Sequence, residues 1–194
     1  GFVMSHYILS MLILVACVAL DWRAHREPPE HARRPPVDRT LAFGVWSLIP
    51  VGAITIFAGT AASAAGPHAG GAGTGDVIKR LTFKGADTLR FVVEQHARLA
   101  TLLGVLAVAL WVVARRRGAC AEQRRPLTAL CLLLAAQGVV GGLQYALELP
   151  AEIVWIHVAL AAATWLTILW AVAAVGKPVA RGVPSRERSE PAPV

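Results

Sequence analysis

Charge is what this sequence has least of: 16% of its 194 residues are Asp, Glu, Lys or Arg, against about 25% in an ordinary soluble domain. A chain so poor in charge and 56% hydrophobic has the composition of a membrane protein, not of a soluble enzyme. Cysteine is scarce as well. Cys17, Cys120 and Cys131 show neither a CxxC pair nor a metal-ligand spacing, which argues against a thiolate metal site. All three map toward the side read below as cytoplasmic, where structural disulfides are not expected. The first apolar run has no basic n-region and no small-residue cleavage site, and His6 interrupts it, so it is not read as a secretory signal. The short "ELPAE" turn carries no Lys or Arg at all.

What is present is apolar length. Crossing a hydrocarbon layer of about 30 Å takes about 20 helical residues. Five runs meet that: Gly1 to Leu20, Leu41 to Ser63, Phe91 to Ala114, Leu127 to Leu147 and Glu152 to Val175. The fold class expected is all-α, a polytopic transmembrane helical bundle with five visible spans. Because Gly1 already stands at the edge of a span, the chain is expected to continue upstream, with Met4 as the alternative start. Residues 176–194, "GKPVARGVPSRERSEPAPV", are rich in Pro, Arg and Ser and hold too little apolar surface to fold, so they are expected to form a disordered cytoplasmic tail.

The net charge of +7 points to topology and not to nucleic acid, because the basic residues sit between the spans. Arg23, Arg26, Arg33, Arg34 and Arg39 follow the first run, Arg115, Arg116, Arg117, Arg124 and Arg125 follow the third, and Lys177, Arg181, Arg186 and Arg188 lie in the tail. The positive-inside rule puts these three segments in the cytoplasm. The amino end is then outside, the carboxyl end inside, and the lipid bilayer is the principal partner. Lys79, Arg80, Lys84 and Arg90 in the second loop run against that rule.

With this topology the first, third and fifth helices run in the same direction. At about 1.5 Å per residue, His6, His96 and His157 each sit roughly 8 Å below the outer boundary. An intramembrane histidine has two readings: a hydrogen bond to a neighbouring helix, or a functional group facing the bundle interior. Imidazole is a common axial ligand of haem iron, and three at matched depth favour the second reading. His25 and His31 fall in the charged first loop and read as solvated. In the fourth run Gln137, Gly141 and Gln144 share one face, while Gly138 and Gly142 form a small-xxx-small pair suited to close helix packing. Glycines there also let a flat macrocycle approach the backbone.

In this order the segments "GFVMSHYILSMLILV", "GPHAG", "EQHARL", "QGVVGGLQY" followed by "LP", and "VWIHVALA" resemble the carboxyl-terminal part of the haem A synthase family. That family comprises polytopic enzymes converting haem O to haem A for cytochrome oxidase. The resemblance implies two related four-helix halves. Residues 1–20 would be the last helix of the amino-terminal half, and 41–175 the carboxyl-terminal four-helix haem-binding bundle. It implies that His96 and His157 ligate a haem b iron, and that His6 belongs to the first half's haem site. Haem O is then substrate and haem A product. The family's catalytic glutamate belongs to an ExxHR-type element of the first half, so no catalytic residue is assigned. Glu94 does not replace it, standing two residues before His96 and in the other half. "GTAASAAGPHAG" and the missing cysteine pair of the outer loop depart from the family pattern.

Turning a ring methyl into a formyl group requires redox chemistry that a cofactor must carry. Two axial imidazoles leave iron no open position, which suits electron transfer. Glu94, Gln95 and Arg98 are expected to set the His96 tautomer or to meet the interface, and Lys79, Arg80, Lys84 and Arg90 to pair with haem propionates. The alternatives are an electron-transfer membrane cytochrome b without synthase activity, and a transporter or assembly subunit whose histidines only bond between helices. The electron donor is not identified, and a homo-oligomer is left open.

Overall fold

The computed structural model describes residues 2–25, 38–67 and 80–176. The tail from Lys177 onward, His31, His68 and Lys79 lie outside the described residues. Five α-helices follow one another: α1 (Phe2–His25), α2 (Arg39–Ala65), α3 (Thr88–Arg116), α4 (Ala121–Ala146) and α5 (Ala151–Val175). A short 3₁₀ turn, Gly85–Asp87, precedes α3. There is no strand among the described residues, and all five helices are long and apolar enough to cross a membrane.

The helices outrun the apolar segments that announce them, because charged ends can extend past the hydrocarbon. Thus α1 continues through Arg23 to His25, and α4 begins at Ala121, taking in Arg124 and Arg125. His25 is therefore on a helix and not in a loop, although it is exposed and lies 3.2 Å from the Asp21 carboxylate.

α2 to α5 form an antiparallel bundle in which each helix packs against its chain neighbour and α2 closes on α5. α1 lies outside against α5 and α2. Its attachment includes one polar bond, from the Trp165 indole N–H to the Met11 carbonyl at 3.1 Å. The end where α2 and α4 begin carries Arg115, Arg116, Arg117, Arg124 and Arg125, and is here named the arginine end. The opposite end is the histidine end.

The arginine end holds the core. Leu41, Val45 and Leu48 of α2 recur at helical spacing. They meet Leu103, Ala107, Leu110 and Ala114 of α3, Leu127 and Leu130 of α4, and Ile168, Leu169, Val172 and Val175 of α5. Lipid tails are as apolar as these side chains, so close packing, not escape from water, joins the helices. Polar ties add direction. Trp111 Nε1 donates to Thr128 Oγ1 at 3.0 Å, and Trp46 Nε1 to the Gly176 carbonyl at 2.9 Å. Asp38 caps α2 by accepting from Leu41 N–H at 2.9 Å, and its other oxygen accepts from the Arg117 guanidinium.

Candidate functional site

α3 and α5 both start at the histidine end, so a residue a few turns into one lies level with its counterpart in the other. His96 and His157 occupy those places. Their ring centroids are 6.2 Å apart and their planes cross at 81°. Both line a cavity of about 850 Å³ enclosed by α2, α3, α4 and α5, with Tyr7 and Met11 of α1 reaching its side.

Each ring is seated against a glycine of the preceding helix. A Cβ added to Gly59 of α2 would stand 3.0 Å from His96 Cε1, and one added to Gly141 of α4 would stand 3.1 Å from His157 Cε1. One helical turn before each glycine comes the ring's hydrogen-bond partner. His96 Nδ1 lies 3.0 Å from the Thr55 carbonyl. A carbonyl only accepts, so Nδ1 carries the proton and the Nε2 lone pair is free. The Gln137 side-chain amide lies against His157, one of its ends 2.9 Å from Nδ1 and the other 3.0 Å from Ala161 N. The two hairpins thus repeat one device: glycine notch, ring, polar partner a turn away.

Among the described residues no group of three or more His, Cys, Asp or Glu side chains converges on a point that could hold a metal ion. Two imidazoles alone do not complete a tetrahedral site. They are sufficient for a macrocycle that brings four nitrogens of its own and asks the protein only for axial ligands. Two metal–imidazole bonds of about 2 Å, plus about 1 Å from each ligating nitrogen to its ring centre, ask for centres about 6 Å apart; the observed spacing matches. The cavity wall also holds Gln144, whose Oε1 is buried with no hydrogen-bond partner among the described residues. A buried polar atom left so costs about 1–3 kcal/mol, and a polar group of a guest would satisfy it. The residues present therefore fit a haem.

His6 is not brought to this site. It is exposed on α1, and its neighbour Tyr7 is the residue that lines the cavity. Gln137, Gly141 and Gln144 share the cavity-facing side of α4 as their spacing predicts. The close-packing reading of Gly138 and Gly142 is corrected: among the described residues no atom of another helix lies within 4 Å of a Cβ added at either, and both border the cavity. The pressed glycine is Gly141. The tautomer of His96 is likewise set by Thr55 and not by Glu94, Gln95 or Arg98. Glu94 instead forms a ladder along α3, 3.0 Å from Arg90 and 3.9 Å from Arg98. Lys84 stacks 4.1 Å over the Phe91 ring. Among the cysteines, Cys131 reaches the cavity wall.

Sequence reading missed Gly59 and Thr55. A glycine between Ala58 and Thr60 is one more small residue in a run of them, and a backbone carbonyl leaves no mark in a sequence at all.

Comparison with curated proteins gives no match, and comparison with solved structures gives none. The pattern of the COX15-CtaA family, described as cytochrome oxidase assembly protein, matches residues 2–177. The match spans all five helices and both histidines of the cavity, and the chain belongs to this family of cytochrome oxidase assembly proteins, the haem A synthase family.

Proposed function

We propose that the chain serves the conversion of haem O to haem A, a ring methyl oxidised to a formyl group, and that α2 to α5 are its haem b-binding half. The observation that carries the reading is the pair His96 and His157, 6.2 Å apart across one cavity, in a family concerned with cytochrome oxidase assembly. In this reading His96 and His157 would hold the haem iron, and the group would supply reversible one-electron chemistry that side chains lack. The protein's own part is positional. Gly59 and Gly141 fix ring depth, the Thr55 carbonyl holds His96 in its ligating tautomer, and the apolar wall limits water. This half would then pass electrons, and oxidation of the substrate would belong to the half that His6 serves. No catalytic residue is assigned. The reading takes the amino end of α1 as outside and the carboxyl end as cytoplasmic, supported by the arginines at and beyond the carboxyl ends of α1 and α3.

The same bis-imidazole geometry favours a second reading, a membrane cytochrome b that only transfers electrons. Purified protein is expected to carry haem with a low-spin spectrum under either. Conversion of added haem O to haem A in membranes expressing the full-length protein with both halves, analysed by chromatography of extracted haems, supports the synthase. Haem binding without conversion leaves the cytochrome, and purified protein without haem ends both.

A further inference from the structure

The turn that joins α3 to α4 runs against its own electrostatics. Arg115 and Arg116 close α3, where the negative end of the helix dipole suits them. Arg124 and Arg125 fall at the start of α4, where the positive end does not. That start is also uncapped, since Cys120 makes no side-chain bond to it. The N–H groups of Gln123 and Arg124 reach the Cys120 carbonyl, and those of Ala121 and Glu122 remain the orphan donors of a helix start. Five arginines, Arg117 included, stand at this turn against two carboxylates, Asp38 and Glu122. Both oxygens of Asp38 are occupied, by Leu41 N–H and Arg117. Among the described residues Arg115, Arg116, Arg124 and Arg125 have no carboxylate partner.

Beside the turn lies a second cavity, of about 240 Å³, bounded by Asp38, Leu41, Arg117, Gly118, Cys120 and Gln123. It shares no wall with the histidine cavity. Gln123 is 5% exposed, yet its side-chain amide has no hydrogen bond among the described residues. A buried amide that lines a cavity without a partner calls for a polar guest. Trp111 sets the level in the membrane. Its Nε1 is tied to Thr128, and the Arg115 guanidinium lies 4.9 Å over its ring; tryptophan held so marks the headgroup boundary of a span. The cavity begins a turn or two beyond it, where membrane phosphates lie.

We propose that this cavity receives the phosphate of an anionic membrane phospholipid. The Gln123 amide nitrogen and the free N–H groups of the α4 start donate to phosphate oxygens. The four unpaired arginines flank it, and a guanidinium grips phosphate through two parallel N–H bonds. Basic pockets between transmembrane helices hold headgroups in this way. The anion caps α4 and offsets the repulsion between the helix dipole and Arg124 and Arg125. A zwitterionic lipid brings a cation into the same arginines and gains less. The site is independent of the haem reading and takes no part in haem chemistry.

Native mass spectrometry of the purified protein, titrated in detergent with phosphatidylglycerol or phosphatidylcholine, tests the proposal. Wild type is expected to retain one phosphatidylglycerol in preference to phosphatidylcholine. Each arginine near a membrane phosphate contributes about fivefold, so Arg124→Gln with Arg125→Gln should weaken retention about twentyfold. Both side chains are exposed, so circular dichroism should show the helices intact. Gln123→Leu, or Gln123→Met if the branched side chain does not fold, keeps every charge and should lose about tenfold through the missing hydrogen bond to a charged group. Arg80→Gln with Arg98→Gln removes as much charge from the histidine end and should change nothing. Equal retention of the two lipids by wild type overturns the proposal. Wild-type retention in the folded Gln123 variant does so too, because attraction that feels charge alone is diffuse and has no seat in the cavity. If inorganic phosphate at the lipid's own concentration displaces it, the site takes a free anion and the lipid assignment falls.

Discussion

At the arginine end, Leu48, Leu127, Leu130 and Ile168 meet with no measurable exposure. At the histidine end the same four helices part around about 850 Å³ of space. The difference lies in side-chain size at corresponding positions. α2 presents Leu41, Val45 and Leu48 to its neighbours at one end and Gly52, Thr55, Gly59 and Thr60 at the other; α4 presents Leu127 and Leu130, then Gln137, Gly138, Gly141 and Gly142. Large residues close the bundle and small ones hold it open. Stability should therefore belong mainly to one end and ligand chemistry to the other, and substitutions can separate the two.

The sharpest separation compares His157→Ala with Leu48→Ala. His157→Ala, or His96→Ala, is expected to abolish or convert the low-spin haem spectrum, because one imidazole leaves an axial position open, while thermal unfolding of the haem-free protein stays near wild type. Leu48→Ala is expected to do the reverse. It should destabilise the bundle by about 2–3 kcal/mol, the low end for a buried leucine because hydrocarbon surroundings remove part of the transfer contribution, and should leave the spectrum of the folded fraction intact. Denaturant titration beside absorption spectra decides it. A histidine variant that unfolds, or a leucine variant that folds normally and loses haem, would show that the ends are not separable.

A smaller effect is expected within the histidine end, between pressed and open glycines. Gly59→Ala and Gly141→Ala put a methyl carbon 3.0 Å and 3.1 Å from a ring carbon, so the ring must give by a few tenths of an ångström. Gly138→Ala and Gly142→Ala meet nothing within 4 Å among the described residues. In haem-free protein the first pair should shift the histidine ring resonances, and the second pair should not. Equal shifts from all four would mean that the glycine notches do not seat the rings.

This contrast also marks what the sequence could tell. The five helices and the cavity-facing side of α4 were legible because apolar length and helical spacing are properties of side-chain order. Matched depth on parallel helices brought His96 and His157 forward together with His6, and only the family resemblance set the first two apart as a pair. The seat of His96 was not: its partner is a backbone carbonyl, and its notch is a glycine in a stretch already crowded with small residues. Gly138 and Gly142 misled for a related reason. Small-xxx-small spacing shows that something can come close, and it does not say whether that is another helix or a cavity.

The smallest expected effect lies at the arginine end, in the cap that ties α2 to the segment after α3. Asp38 accepts from Leu41 N–H and from Arg117, and these bonds, the Leu41 bond first, hold its carboxyl below the ordinary value of 3.8. A depressed value means that the folded protein prefers the carboxylate more than the unfolded chain does. The contribution to stability is therefore complete above about pH 4 and fades as the pH falls through the lower folded value. The group is open to solvent, so added salt should weaken the Arg117 part of it. Asp38→Asn keeps an oxygen for Leu41 N–H and loses the charge, and should unfold at a slightly lower temperature than wild type at pH 7 in dilute buffer. Below the folded value the wild-type residue is itself uncharged, so the two unfolding curves should converge there. They should also approach each other in strong salt at neutral pH, with the haem spectrum the same in both proteins throughout. A gap that persists in acid would assign the effect to packing around Asp38, and a changed haem spectrum would mean that the arginine end reaches the cavity after all.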